Sequence, residues 1–508
     1  MGVELEMNDM INPNQNSEIP SHWVETPLGE ILTSIVGGGT PSRSNPKYWD
    51  GEIPWFTVKD MRTQRPADSI DHISEIAVRE SSTNIIPPDT IIIATRIGLG
   101  KVIRVPFEAA INQDLKALIL PKDIDKGYVE YWILSISKHI ESIGSGTTVK
   151  GIRLEQVRSL SFPLAPQNEQ KRIVAEIEKQ FSRLDEAVEN LQRVKANLKR
   201  YKASVLKAAV EGKLTEQWRA EHPDVEPASQ LLERILKERR KKWEENELTR
   251  MKAKGKSPKD DKWKKKYTEP NSPEVTGLPT LPYGWKWASV KQIAEVQLGK
   301  MLDRRKHRSG KKITYLRNIN VRWGHIDTSD LFEMYFKDTE LERYGLKAGD
   351  VLVCEGGEPG RASVWDGREP EMKYQKALHR VRFYFGYDPS LLVFYLEYLS
   401  RSGRITKWFT GSTIKHFTRE SFSNLLLPLI PIDEQIEILL KVDKYLSEIA
   451  LLDSDIDRNL LRADRLRQSI LKKAFSGQLV PNTKVYENDI ADDFPMAAEP
   501  IDTYGAKL

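Results

Sequence analysis

The 508-residue chain has a single cysteine and no long apolar run. Cys354 alone cannot form an intramolecular disulfide, and so little cysteine is typical of a protein from a reducing compartment. The longest apolar runs, at residues 91–93 and 425–427, are far too short to span a bilayer. The sequence therefore predicts a cytoplasmic protein without a membrane partner.

Motifs for catalysis are missing as well. The pair Gly100-Lys101 is followed by Val102 and lacks the upstream glycine of a phosphate-binding loop. The eight histidines show no metal-ligand spacing, and one cysteine cannot build a zinc finger. We therefore expect no catalytic residue, no metal and no cofactor on this chain.

What the chain does contain is one stretch that occurs twice. Residues 163–170 (PLAPQNEQ) recur as 428–435 (PLIPIDEQ), and residues 206–214 (LKAAVEGKL) recur as 471–479 (LKKAFSGQL). Both pairs are 265 residues apart, so no residue was gained or lost between the two marks. A duplicated segment without insertions indicates an element whose length matters.

This repeated stretch has the pattern of a long helix. Its prolines must precede the helix, and Asn168 or Asp433 offers an N-cap side chain in each copy. Gly212 and Gly477 are expected to end the two helices. Roughly 43 helical residues at about 1.5 Å each predict a rod on the order of 60–65 Å.

Apolar residues along both copies follow a heptad spacing, which predicts that the two helices pack on each other. At alternate seam positions the apolar residues give way to Lys195, Lys202, Asp453 and Arg467, and Val194, Tyr201, Leu452 and Leu466 are expected to replace them from one position earlier. A generic amphipathic helix on a globular core is the alternative. The predicted coiled-coil residues are Ile177, Phe181, Leu184, Leu191, Leu198, Val442, Leu446, Ile449, Ile456 and Ile470.

The two helices each follow a body of short β-type runs, turn signals and one helical stretch. We expect an α+β fold with a pseudo-twofold tandem duplication, in which each body is followed by one long helix. The expected segments are a polar tail (1–18), body 1 (19–165), spacer helix 1 (166–214), a charged extension (215–280), body 2 (281–430), spacer helix 2 (431–480) and a C-terminal tail (481–508).

Residues 215–280 have no second copy. They read as a further charged helix, a run rich in Lys and Arg, and a Pro/Ser-rich linker at 269–279. A solvated hinge is one interpretation. The other is a basic arm that adds affinity for a polyanion without sequence preference.

Net charge is only +5, but its distribution is uneven. Body 1 is slightly acidic, whereas body 2 carries an excess of about eight positive charges, interleaved with aromatic residues, as is usual for a nucleic-acid face. The signal is therefore stronger in body 2. The predicted DNA-binding residues are Arg43, Lys47, Lys59, Arg62, Arg96, Lys101 and Lys150 in body 1, and Arg304, Arg305, Lys306, Arg308, Lys311, Lys312, Arg317, Arg322, Arg361, Arg380 and Lys415 in body 2.

The doubled Pro-Leu-x-Pro-x-x-Glu-Gln helix ending in Leu-Lys-x-Ala-x-x-Gly-x-Leu resembles the specificity subunits of Type I restriction–modification systems. The Leu-Pro-x-Gly-Trp opening at 281–285 and the Gly-Ser-Thr loop at 411–413 fit as well, although His22 replaces the glycine before Trp23 in the first copy. The resemblance covers roughly residues 19–480.

This resemblance implies two target-recognition domains, each a small α/β unit that reads one half of a split site on double-stranded DNA. It also implies that the two long helices pack antiparallel as a spacer between these units. It implies as partners two methyltransferase subunits that modify adenine and up to two restriction/translocase subunits. S-adenosylmethionine, ATP and Mg²⁺ would belong to those partners. Base contacts do not carry over from the family, because recognition domains diverge to change specificity.

Two other functions are weighed against this one. A stand-alone DNA-modifying enzyme would require a catalytic motif, and a coiled-coil adaptor would leave the cationic loops of body 2 unexplained. One loop also stays open between two roles: Gly411 to Lys415, like Gly146 to Lys150, is either a phosphate-contacting loop or a tight turn.

Overall fold

The computed structural model describes residues 19–146, 149–258, 260–302 and 309–481. Residues 1–18 and 482–508 of the expected tails, and the predicted DNA-binding residues Arg304, Arg305, Lys306 and Arg308, lie outside these ranges. The chain divides into two units, residues 1–191 with 457–508, and residues 192–456.

Helices and strands alternate through both halves of the chain. Up to the first long helix they are β1 (Val24–Pro27), α1 (Leu28–Ile31), β2 (Ser34–Gly37), β3 (Ile53–Phe56), β4 (Asp71–Ile73), α2 (Glu75–Glu80), β5 (Ile85–Ile86), β6 (Thr90–Ala94), β7 (Val102–Val105), β8 (Ala109–Ile111), β9 (Leu115–Ile119), α3 (Lys126–Ser135), α4 (Ser137–Ile143), α5 (Leu154–Arg158), β10 (Ser161–Leu164) and α6 (Gln167–Val210). The rest are α7 (Glu216–Glu221), α8 (Ala228–Ala253), β11 (Lys286–Ser289), α9 (Val290–Ile293), β12 (Ala294–Leu298), β13 (Lys311–Leu316), β14 (Val321–Arg322), β15 (His325–Ile326), β16 (Phe332–Phe336), α10 (Asp338–Leu341), β17 (Val351–Cys354), β18 (Ala362–Val364), β19 (Lys373–Tyr374), β20 (Leu378–Phe383), α11 (Pro389–Arg401), α12 (Arg419–Ser423), β21 (Leu426–Leu429) and α13 (Ile432–Phe475).

The two bodies share a sheet topology that their dissimilar sequences do not reveal. Body 1 contains sheets of order β2-β9-β6-β7 and β4-β3-β8-β5, closed by the pair β1-β10. Body 2 contains β12-β20-β17-β18 and β16-β13-β19, with the small pair β14-β15, closed by β11-β21. Among the strands of the described residues, β3 with β8 and β13 with β19 are the parallel pairs, at corresponding places, and body 2 adds an isolated parallel bridge between Lys300 and Gln375. The predicted α+β class is confirmed, and so is the duplication.

Both long helices form, and each unit holds a part of both. In the first unit Asp185 of α6 forms an ion pair with Arg467 of α13, whose guanidinium lies 5.0 Å from the ring centroid of Phe181. In the second unit Lys195 lies 3.8 Å from Asp453, and the rings of Tyr201 and Tyr445 are 6.4 Å apart. In the second unit the contacts run to lower numbers on α13 as they rise on α6, so the two helices are antiparallel there.

The predicted N-caps, Asn168 and Asp433, are wrong. The helices begin at Gln167 and Ile432, which places both residues inside the first turn. The carbonyl groups of Pro166 and Pro431 accept the first helical hydrogen bonds, from the N–H groups three and four residues on. Proline fits there because the helix does not use the N–H group at that position.

The predicted drift of the helix seam is also wrong. Val194, Leu452 and Leu466 are between 44% and 51% exposed and do not replace the polar seam residues, although Tyr201 at 48% exposed does contact Tyr445 of α13. The polar residues stay where they are because each has an ion-pair partner: Lys195 pairs with Asp453, Lys202 with Glu397 and Arg467 with Asp185. Of the predicted coiled-coil residues, Ile177, Phe181, Val442, Ile449 and Ile456 are buried, and Leu184, Leu191, Leu198, Leu446 and Ile470 are half-buried.

The glutamine of the repeated motif ties each long helix to its body. Gln170 accepts from the Asp125 N–H at 2.9 Å and donates to the Ala165 carbonyl at 2.8 Å. Gln435 makes the equivalent bonds, accepting from the Asp388 N–H and donating to the Ile430 carbonyl, both at 2.8 Å. Both glutamines are buried, so each copy fixes the start of its helix against the helix-bearing end of its body.

The glutamate of the motif differs between the copies. Glu434 is 1% exposed and accepts from Thr215 Oγ1 at 2.7 Å, from Trp285 Nε1 at 2.7 Å and from Arg219. Glu169 is less buried and lies 2.9 Å from His22 Nε2. The second unit thus encloses a three-donor carboxylate where the first unit has one polar contact near the surface.

Candidate nucleic-acid interface

Three loops of body 1 meet at one end of its sheets. They are residues 57–62 after β3, 95–101 between β6 and β7, and 145–152 between α4 and α5; we call the described part the first three-loop face. The Ile152 N–H donates to the Thr95 carbonyl at 2.9 Å, and Ser145 and Gly151 exchange two bonds of 2.9 Å. A Cβ atom added at Gly98 would lie 2.9 Å from a methyl group of Val58, so the first loop touches the second.

Body 2 builds the same end from different residues. Residues 317–322 follow β13, 355–361 join β17 to β18, and 410–417 precede α12; these are the second three-loop face. The Phe417 N–H donates to the Glu355 carbonyl at 2.8 Å, and Thr410 and His416 exchange two bonds of 2.9 Å. Asn318 Nδ2 donates to the Gly356 carbonyl at 3.1 Å, which closes the contact between the first and second loops.

Two cations hold equivalent positions on the two faces. Lys150 and Lys415 are the fifth residues of loops that are 265 residues apart. Lys101 and Arg361 correspond through the backbone, since their carbonyls accept from Ala94 and Cys354 at 3.1 and 2.8 Å. Each face therefore carries a cation at both of two equivalent positions, one identified by the sequence repeat and the other by the shared hydrogen bond.

Most predicted cations of the first face are exposed. Lys59, Arg62, Lys101 and Lys150 form no ion pair with any other residue that the structure describes. Arg96 lies 3.5 Å from Asp114 and remains 54% exposed. An exposed cation without a protein partner is available to a phosphate at little desolvation cost. This face is therefore a better anion site than the sequence indicated.

The second face holds its arginines more tightly. Arg317 pairs with Asp330 at 2.6 Å and lies 3.7 Å from the centroid of the Phe332 ring. Arg361 pairs with Glu358 and donates to the Asn318 carbonyl at 2.9 Å. Arg322 is half-buried and pairs with no described residue. Arg317 and Arg361 therefore stabilise the loops, and DNA would have to compete for them.

The position of Lys415 fits both interpretations of its loop, a tight turn and a phosphate contact. Its side chain is exposed, and Nζ donates to the Gly411 carbonyl within its own loop at 2.8 Å. That bond is what a tight turn would use, whereas the exposure leaves the ammonium group accessible to a phosphate. Gly411 and Gly146 both have positive φ, so both loops need glycine where they turn.

Several predicted residues lie elsewhere. Arg43 pairs with Asp71 at 2.6 Å and stacks on Trp49 at 3.6 Å, in the segment that also holds the exposed Lys47. Lys311 and Lys312 begin β13, at the opposite end of the strand from Arg317, and pair with Glu371 at 2.6 Å and Glu333 at 2.7 Å. These cations belong to other surfaces than the three-loop faces.

Arg380 requires a correction. The residue is 3% exposed, and its guanidinium donates to the carbonyls of Arg343 and Gly345 and to Gln297 at 2.9–3.2 Å. It faces the interior because β20 lies between β12 and β17 in the sheet. Arg380 cannot contact DNA without opening the body, and we remove it from the candidates.

Lys376 was missed by the sequence interpretation. It is exposed, lies between β19 and β20, and pairs with no described residue. Its neighbour Ala377 accepts from the Glu355 N–H at 2.8 Å, which places Lys376 at the second three-loop face. A single lysine between two strands carries no sequence signal, because only strand pairing brings it to this surface.

No group of three or more His, Cys, Asp or Glu residues suited to a metal occurs within the described ranges. Among the described helices, none is both long enough and apolar enough to cross a membrane. Cys354 is buried, and burial raises the pKa of its thiol to about 11. It is therefore a core residue, not a reactive thiolate.

Known proteins resemble this chain over nearly its whole length. Residues 20–200 match the family model described as the Type I restriction modification DNA specificity domain. The EcoKI specificity subunit of Escherichia coli (strain K12) is 23% identical over 93% of this chain and 92% of its own length. The EcoR124I/EcoR124II specificity subunit of Escherichia coli is 35% identical over 33% of this chain and 43% of its own length.

Solved structures show the same fold. The HsdS subunit from Thermoanaerobacter tengcongensis has a TM-score of 0.50 and 16% identity, covering 92% of this chain and 100% of that one. A chain from a study of complex assembly and conformational transition of the type I R-M system has a TM-score of 0.62 and 16% identity, over 91% and 99% of the two chains. Together, the comparisons show that residues 20–200 contain a Type I restriction modification DNA specificity domain and that the chain is similar over most of its length to Type I specificity subunits.

Proposed function

We propose that this chain reads a bipartite DNA target and directs methyltransferase and restriction subunits to it. Each three-loop face reads one half-site, and the paired long helices set the number of base pairs between the halves. The chain itself carries out no chemistry. Adenine methylation with S-adenosylmethionine and Mg²⁺-ATP-dependent translocation stay with the partner subunits, in the cytoplasm.

One observation carries this proposal. The same three-loop end occurs twice on the same sheet framework, although the loop sequences differ. Gly38 and Gly299 illustrate the shared framework, because neither position has room for a side chain. A Cβ atom added at Gly38 would lie 1.9 Å from the Ile111 carbonyl oxygen, and one added at Gly299 would lie 2.3 Å from the Gln375 carbonyl oxygen. A held framework with variable loops is the arrangement expected of two readers with different targets.

A partner surface is supported by α13. Ile436, Leu440 and Leu451 lie on one face of this helix and are 55%, 63% and 68% exposed. Exposed large apolar residues at helical spacing favour docking of another protein. We propose that a methyltransferase subunit covers this face. Leu440→Glu with Leu451→Glu should abolish co-purification with that subunit, whereas Tyr283→Glu, at a residue 85% exposed in body 2, should not.

The function is tested by single-molecule methylome sequencing of cells with and without this gene. A split methylated motif should vanish on deletion and return on complementation. Purified chain alone should methylate and cleave nothing, but should confer the motif when mixed with its modification subunits. Activity of the chain alone would favour a stand-alone enzyme, and an unchanged methylome would favour a coiled-coil adaptor.

A further inference from the structure

The largest concentration of charge lies outside both faces. Residues 237–267, which we call the basic arm, contain fourteen Lys and Arg against six Asp and Glu. The net charge of this segment is +8, whereas that of the whole chain is +5. The remainder of the protein is therefore slightly acidic, and the arm alone makes the chain basic.

The arm is folded, which argues against a solvated hinge. The first turns of α8 bury Leu231, Leu232 and Ile235 in the core of body 2. Further along α8, the ring of Trp243 stacks on that of Trp263 at 6.0 Å and lies 5.3 Å from that of Tyr267. These contacts among Trp243, Trp263 and Tyr267, which we call the clamp, hold the helical turn at Asp261–Lys266 against α8, and Trp263 is only 8% exposed.

The arm divides its cations into two sets. One set pairs with nearby carboxylates, as Arg240 does with Glu244 at 3.2 Å and Arg250 with Glu247 at 3.5 Å. The other set is exposed and pairs with no residue in the described part of the chain. This second set comprises Lys237, Lys241, Lys252, Lys254, Lys256, Lys265 and Lys266.

Such a set fits a polyanion better than a protein groove. Like charges held together on a folded surface repel one another, and a closely spaced row of phosphates removes that cost. Double-stranded DNA presents one negative charge per about 1.7 Å of axis, and its neutralisation releases counterions. Lysine acts as a point charge without base-edge geometry, so the arm would not read sequence.

We propose that the basic arm binds the phosphate backbone of double-stranded DNA without sequence preference, as a contact additional to the two recognition faces. This inference rests on the proposed function, because it requires the chain to work on DNA. The arm holds duplex near the protein, and the faces select the site.

The test uses the complex of the full chain with its modification subunits. Lys252, Lys254, Lys256, Lys265 and Lys266 are all changed to Gln, which removes no hydrogen bond or ion pair. The slope of log K against log salt, on target and on non-target duplex alike, should fall by at least about two, since each phosphate contact contributes about 0.9. At about 50 mM salt, binding to both duplexes should weaken at least about tenfold, and the methylated motif should not change.

A matched control removes the same charge elsewhere. Changing Lys122, Lys138, Lys286, Lys337 and Lys347 to Gln removes five exposed lysines that pair with no described residue. This control should leave the salt slope within about 0.5 of wild type. Equal slopes in the two quintuple variants would overturn the proposal, and so would an arm variant that loses its partner subunits while its DNA slope is unchanged.

A second variant keeps every charge. Trp263→Ala opens the clamp and releases the basic turn from α8, so the salt slope should fall by about one although no cation is lost. A slope unchanged in both Trp263→Ala and the lysine variant would refute DNA binding by the arm. If the wild-type complex already fails to prefer its target, the proposed function fails instead, which distinguishes the two cases.

Discussion

The two bodies have corresponding sheets but hold the cations of their three-loop faces differently. Body 1 is slightly acidic, yet its three-loop face presents Lys59, Arg62, Lys101 and Lys150 without an ion pair to any described residue. Body 2 is strongly basic, yet Arg317 and Arg361 at its face are paired and Arg380 is buried, which leaves Arg322, Lys376 and Lys415 there without an ion pair to a described residue. Net charge therefore does not indicate which face is ready for DNA. What matters is whether each cation already has a carboxylate beside it.

The contacts at the joint between each body and the start of its long helix also differ between the two units. Glu434 in the second unit is enclosed by three donors, whereas Glu169 in the first unit pairs with the half-exposed His22. The carboxylate of the second joint is therefore held by internal contacts, and that of the first joint lies closer to solvent. This contrast can be tested at several points.

The largest effect should come from lengthening both long helices together. Insertion of one heptad into α6 and one into α13 adds about 10 Å of helix. At about 3.4 Å per base pair, the gap between the two half-sites should grow by about three base pairs, or modification should cease. Methylome sequencing of cells that carry the variant measures the gap. Full modification with an unchanged gap would show that the helices do not set the spacing.

The two motif glutamates should differ in their effect on stability. Glu434→Gln leaves the buried Arg219 guanidinium beside a neutral side chain. The free energy of unfolding of the second unit should therefore fall by about 3 kcal/mol. Glu169→Gln should cost less than about 1 kcal/mol, because its histidine partner is 35% exposed. Hydrogen exchange at the start of α13 and of α6 measures each effect locally. Equal losses at the two joints would contradict the comparison.

Acid should weaken body 2 more than body 1. Burial, with a smaller contribution from Arg419, lowers the pKa of His379 to about 4, and its hydrogen bond to the Phe417 carbonyl offsets only part of this. The unfolded chain takes up this proton near pH 6.5 and the folded body does not, so stability falls as the pH drops from about 6.5 to about 4. The loss should reach about 3 kcal/mol.

Body 1 provides the control for this pH dependence, because a lysine replaces the histidine at the corresponding strand position. Lys116 lies opposite Ile93 of β6, just as His379 lies opposite Val353 of β17. Urea unfolding followed at several pH values in wild type and His379→Gln isolates the contribution of the histidine. A variant with the same pH dependence as wild type would mean that His379 is not the group responsible.

The smallest effects should separate open cations from paired ones. Lys150→Ala should weaken binding to all duplex sequences alike and lower the salt slope by about one. Lys415→Ala should do the same if its loop contacts phosphate, and nothing if the loop is only a turn. Lys312→Ala should change little, because Lys312 is paired with Glu333 at the far end of β13. A Lys312→Ala effect as large as that of Lys150→Ala would contradict the role of ion pairing.

The sequence predicted the helices well because the repeat and the heptad spacing are local signals. The sheet order could not be predicted, because β3 pairs with β8 and β13 with β19 across long stretches of chain. For the same reason Lys376 was missed and Arg380 was wrongly chosen, as exposure there depends on non-local strand pairing.

The seam and the basic arm show another limit of sequence patterns. An apolar residue beside a polar one invites the prediction that it takes over the seam, but Lys195 and Asp453 stay there because they pair with each other. The linker pattern at 269–279 suggested a hinge, but Trp243, Trp263 and Tyr267 fold the chain before it onto α8. In both places the deciding partner lies far away in sequence.

The most direct test of the account exchanges one body. Residues 281–427 are replaced by the corresponding body of another specificity subunit with a known target, and the methylome of cells carrying the chimera is sequenced. The account predicts a motif in which one half-site takes the donor's sequence while the other half-site and the gap are unchanged. A motif in which both halves change together would contradict independent reading by the two bodies.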